Sequence, residues 1–233
     1  YDLANGSITV EAEESGQYVS QENGVTREKQ TTETVIKQTD SDTSSTTNTI
    51  TIKATGEVTN EDGSKEKVTA EVTISDVNID VSGTGDTWRE RGDAAISAEG
   101  EGSVTIELEG DNTAAGGSDR AGVEKNNNGS LTITDADADG ALEATGGYRG
   151  AGIGSGYKQD VSDITIEGGT IEATGGKGAA GIGGGFSGSG SNITIEDGNI
   201  TASGDFWNMD GGGGIGGGGR GEGAGHTHNG GSG

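Results

Sequence analysis

Isoleucine recurs along the later part of the chain at near-regular intervals, and its neighbours recur with it. VTI at 104–106, LTI at 131–133, ITI at 164–166 and ITI at 193–195 begin 27, 33 and 29 residues apart, and VTI at 72–74 opens the series. A second run follows in the later units: ALEATGG at 141–147, TIEATGG at 170–176 and NITASG at 199–204. A third centres on Ile96, Val123, Ile153, Ile182 and Ile215, in AAI, AGV, AGIGSG, AGIGGG and GGIGGG. Apolar and polar positions alternate within the first two runs. Extended chain puts Ile164 and Ile166 on one face and Thr165 and Glu167 on the other. Ile171 and Ala173 likewise oppose Glu172 and Thr174.

One unit is thus about 30 residues, with three short strands parted by glycine turns. Such a unit cannot bury its apolar face alone, but stacked units share a continuous thin core. The predicted fold is all-β: a parallel β-helix, or β-solenoid, with repeats over 72–219. Residues 1–71 keep strand-like runs, SITVEA at 7–12, ETVIKQ at 33–38 and NTITIKAT at 48–55, with polar tracts between them. They read as an irregular β N-terminal cap of initial coils with surface loops, or alternatively as a separate small β-domain. Residues 220–233 are a Gly-rich tail.

Composition alone points elsewhere. Ile, Leu, Val and Phe make up about 15% of a chain with net charge −25, a balance typical of disorder. The even spacing overrides that reading. The 49 glycines allow positive φ and close backbone approach at coil corners, and the absence of proline suits uninterrupted ladders. The acidic charge argues against nucleic acid and anionic membranes as partners. No stretch is apolar enough to span a membrane. With no cysteine there is no disulfide framework and no thiolate chemistry. The first residue is Tyr1 rather than Met, as expected of a processed or excised segment.

The sharpest candidate site is TDADADGAL at 134–142. Asp135, Asp137 and Asp139 alternate before Gly140, as in the first half of a calcium loop. The twelfth position is Gly146, where an EF-hand needs glutamate, so the reading is either Ca²⁺ with a carboxylate from a neighbouring coil or a solvated acidic turn. Tyr157 and Phe186 each lie four residues after a repeat isoleucine, which predicts stacking at one corner of adjacent coils. Trp88 and Trp207 each lie eight residues before one. These four rings are candidate platforms for sugars, or else covers for the corners. Arg91-Gly92-Asp93 is an RGD tripeptide, and His226 and His228 could share a metal. Both histidines sit in the tail and few basic residues lie in the repeats, so no catalytic constellation is visible and a non-enzyme is expected.

YDLANGSITV, VNIDVSGTGD, AGIGSG and ITIEGGTIEATGG followed by AGIGGG together resemble a large group of Gly-rich extracellular proteins of Firmicutes. That resemblance implies a cell-surface or secreted, adhesin-like protein. It also implies a right-handed parallel β-helix acting as a carbohydrate-binding module, with bound calcium in some members. A polysaccharide, or a host or bacterial surface glycan, would then be the partner. The alternative is a structural stalk or self-assembling filament subunit, because solenoid ends carry unpaired edges that invite end-to-end association.

Overall fold

Each of the three sequence runs becomes one wall of a solenoid. The computed structural model describes residues 1–39, 44–86, 90–207 (Trp207 by its backbone) and 210–220. The wall named here for its ITI strands contains Val35–Lys37, Thr69–Ser75, Ser103–Glu109, Leu131–Thr134, Val161–Ile166 and Gly190–Ile195. The EAT wall contains Asn78–Asp80, Asp111–Ala115, Ala141–Thr145, Thr170–Thr174 and Asn199–Ser203. The AGI wall contains Ile8–Glu13, Ile50–Ala54, Ile96–Gly100, Val123–Lys125, Ile153–Gly154, Ile182–Gly183 and Ile215–Gly216. Within each wall these strands pair in parallel. The chain visits AGI, ITI and EAT in turn and then climbs to the next coil, giving the predicted all-β solenoid.

Register follows residue type. Ile106, Ile133, Ile166 and Ile195 form one inward column, and Val123, Ile153, Ile182 and Ile215 another. Ala114, Ala144, Ala173 and Ala202 form a third. Ile133, Ile166, Ile153 and Ile182 are wholly buried, each contributing about 2 kcal/mol through loss of contact with water. Thr105, Thr132, Thr165 and Thr194 line up on the outer face, as the alternation requires.

The parallel ladders reach back before residue 72, through Ile8–Glu13, Val35–Lys37 and Ile50–Ala54. The polar tracts between these strands include two antiparallel hairpins at the AGI-to-ITI corner. One pairs Gly16–Gln21 with Val25–Lys29, the other Glu57–Thr59 with Lys65–Lys67. The first hairpin also lies antiparallel on Ile8–Glu13 and extends the AGI wall beyond it. Leu3, in the short 3-10 turn Leu3–Asn5, is fully buried together with Val19 and Ile36, so the head of the solenoid is closed.

Glycine is required most clearly in the AGI wall. Gly154 and Gly183 stack in register with positive φ, +142° and +133°. A Cβ on Gly154 would lie 2.0 Å from the Gly183 carbonyl oxygen, and one on Gly183 would lie 1.9 Å from that of Gly216. Here backbone packs on backbone, and no side chain fits between coils.

Two substitutions test this architecture. Ile166→Asp buries an unpaired carboxylate and is expected to abolish the cooperative thermal transition seen by circular dichroism. Gly183→Ala is expected to cost about 3 kcal/mol or more in denaturant unfolding, from backbone strain plus displacement of the next coil.

Candidate functional site

The AGI strands Ile153–Gly154 and Ile182–Gly183 are so short that the corners on either side of them meet. Tyr157 and Phe186 stack there, with ring centroids 6.0 Å apart and planes 11° from parallel, as their spacing predicts. From the facing corner the Arg149 guanidinium carbon lies 3.6 Å from the Tyr157 ring centroid. Arg149 donates from Nε and from its second terminal nitrogen to the two oxygens of Asp119, both at 2.7 Å. Burial by itself lowers the Arg149 pKa, but the Asp119 carboxylate outweighs it and holds the guanidinium above the usual arginine value. Backbone bonds from Tyr157 to the Asp119 carbonyl and from Phe186 to the Arg149 carbonyl lock the corner.

This arrangement limits what the rings offer a ligand. Phe186 is 7% exposed, and one face of Tyr157 is covered by the Arg149 cation. Trp88 and the side chain of Trp207 lie outside the described residues. Arg91 of the RGD tripeptide is built into the same corner, donating 2.8 Å to the Tyr157 carbonyl and 3.3 Å to Gln159 Oε1. Arg120 binds the fully buried Glu124 at 2.5 Å. Arg91, Arg120 and Arg149 are an arginine series that the isoleucine pattern hid, each tied into these corners by hydrogen bonds. Their 29-residue spacing, one coil each, was the available signal.

The acidic turn is organised by its own backbone. Asp135 accepts from the amides of Asp139 and Gly140, both at 3.2 Å, and Ala138 sits at φ +60°. Glu107, one coil below, accepts from the Ala136 amide at 2.7 Å and from the Thr134 hydroxyl. Asp135, Asp137 and Asp139 are not brought together as ligands: among the described residues no three carboxylates or imidazoles are placed to hold a metal ion. His226 and His228 lie outside the described residues.

That turn forms one bank of a groove of about 790 Å³ on the outer face of the ITI wall. The opposite bank is the N-terminal segment around Gln30–Thr34. Gln17 ties this bank down, donating to Thr34 Oγ1 at 2.6 Å and to the Glu71 carbonyl at 2.8 Å while accepting from the Glu71 amide at 3.0 Å. The lining includes the hydroxyls of Thr73, Thr105 and Thr134, the amides of Gln17 and Gln30, and the carboxylates of Glu33, Glu71, Glu107, Glu109 and Asp137. Among the described residues no lysine or arginine lines it. The outward Thr105 and Glu107 column was legible in the sequence, but the bank facing it comes from residues some seventy positions away.

A Beta helix repeat family model matches residues 139–157, 164–186 and 193–219, segments that the structure stacks as successive coils. The protein is a parallel β-helix. No curated protein and no solved structure matches the chain. No helix among the described residues is long and apolar enough to cross a membrane.

One buried cation yields a pH test. Lys125, 6% exposed, donates 3.0 Å to the Asn127 carbonyl; burial lowers its pKa from 10.5, with the Asp163 charge opposing. The folded state therefore gives up the proton at lower pH than the unfolded state does. Between those two values the unfolded chain binds more protons, so stability rises with pH up to about 10.5. Relative to Lys125→Met, the wild-type chain is expected to gain stability as pH climbs through that window. Urea titrations of both proteins measure the difference, and parallel pH profiles would contradict the assignment.

Proposed function

We propose that this β-helix is an extracellular, adhesin-like glycan-binding module, and that the groove on the ITI wall is its sugar site. The observation that carries this reading is the groove's lining of carboxylates, amides and threonine hydroxyls in a fixed array. Carboxylates accept from paired sugar hydroxyls, amides both donate and accept, and threonines adapt by rotating their O–H. Parallel strands spaced roughly 4.8 Å apart repeat this chemistry along the coil axis, which suits an extended polymer more than a compact ligand. Five carboxylates, with no lysine or arginine among the described lining residues, disfavour polyuronates and sulfated glycans and favour neutral or amino sugars. The aromatic corner at Tyr157 and Phe186 serves in this reading as a structural staple. The second reading, a structural subunit, draws support from the exposed strand edges at the tail.

A glycan array spanning neutral, amino-sugar and uronate polymers tests the proposal. The 233-residue chain is expected to bind neutral or amino sugars and to ignore uronates. Thr105→Arg, on the outer face of the groove floor, should abolish binding while the melting temperature stays within a few degrees. Undiminished binding by this variant would move the site elsewhere, and no binding by the wild-type chain would sink the reading.

A further inference from the structure

The two ends of the solenoid are finished differently. At the head an antiparallel strand covers Ile8–Glu13, and Leu3, Val19 and Ile36 are wholly buried. At the tail, Gly190–Ile195 and Asn199–Ser203 are the outermost strands of their sheets. Columns that are fully buried at Ile166 and Ile182 become 39% exposed at Ile195 and 40% exposed at Ile215. Ile193, Ile200 and Ala202 are half-buried, and Phe206 is 75% exposed. The backbone is open there too. The Glu196 amide bonds down to the Ile166 carbonyl at 2.8 Å, so alternation along a parallel ladder points the polar groups of Ile193 and Ile195 off the edge. Among the described residues no strand pairs with that edge, and an open edge beside exposed isoleucine is a template for another strand.

We infer that the tail is covered by the tail of a second copy of this chain, giving a closed two-fold dimer. Three observations select that occupant. Residues 221–233 contain no Ile, Leu, Val, Met, Phe, Tyr or Trp, so they carry no side chain that would continue the isoleucine columns. The head is plugged by the hairpin of Gly16–Gln21 and Val25–Lys29, so stacking a tail coil directly on Ile8–Glu13 would have to displace Gly16–Gln21. Inverting a copy reverses the circulation of its strands, so the two tails meet antiparallel, the pairing that the AGI wall already accepts at its head. Such an interface is self-complementary and closes at two, unlike an open filament. Glu196, Asp197 and Asp205 sit near the edge of a chain with net charge −25, so the copies repel at low ionic strength and associate better when screened. The inference does not rest on the glycan reading, since it uses a different part of the molecule.

Sedimentation equilibrium on the 233-residue chain tests it, at roughly 0.05 M and 0.5 M sodium chloride to vary the screening. A monomer–dimer equilibrium is expected, with no species above two and association at least several-fold tighter at high salt. Ile195→Lys places a charge in the apolar contact and should leave a folded monomer. Amide exchange at Ile193 and Ile195 in the wild-type chain should slow as concentration rises, a readout that does not depend on the variant folding. A wild-type chain that stays monomeric, or that grows past two, overturns the inference. So does a folded Ile195→Lys that still dimerises, or exchange at those amides that is insensitive to concentration.

Discussion

Coil-to-coil hydrogen bonding is the constraint from which the rest of this molecule follows. Strands about 4.8 Å apart leave a coil no freedom to depart from its neighbours except where the chain is allowed to loop out. The bonding continues around the corners. Gly116, Gly146 and Gly175 each follow an EAT strand, and their amides reach the next coil at Thr145, Thr174 and Ser203, at 2.9, 2.8 and 2.8 Å. Because the backbone repeats, the side chains must repeat or at least not conflict, and the sequence periodicity is the imprint of that demand.

Stacking in register is favourable for isoleucine and unfavourable for charge. The chain handles this in several ways. Glu107 sits beside Thr134 rather than another glutamate. The arginine column is met by acids within its own corners, Asp119 for Arg149 and Glu124 for Arg120. Glu143 and Glu172 remain paired side by side on the solvent face, where water screens them. Features with chemical potential arise where the repeat is interrupted. The groove exists because the chain before Val35–Lys37 swings outward at one bank and an acidic turn protrudes at the other.

Much of the fold could be read in advance because period-two alternation and unit length are local. The inward positions of Ile166 and Ala173, the outer threonine column and the stacking of Tyr157 on Phe186 all follow from spacing. What could not be read depends on distant partners. Nothing near Tyr157 in the sequence shows that Arg149 lies over its ring, and nothing near Thr105 shows that Gln30 faces it across a groove. The spacing of the alternating aspartates at 135–139 shows nothing of the backbone amides that one of them serves. Asp135 satisfies the amides of Asp139 and Gly140, a local need that competes with any external cation.

The thin core has a thermal consequence. Unfolding usually raises the heat capacity by about 12–15 cal/mol/K per residue, because exposed apolar surface outweighs exposed peptide surface. Here the last three coils of one wall stack glycine backbone on glycine backbone, and hydrophobic residues make up 27% of the chain. Apolar exposure on unfolding is therefore small relative to peptide exposure, which contributes with the opposite sign. The increment seen by calorimetry should fall below the usual range. Stability would then vary gently with temperature, setting a broad working range by peptide hydration more than by oil-like packing.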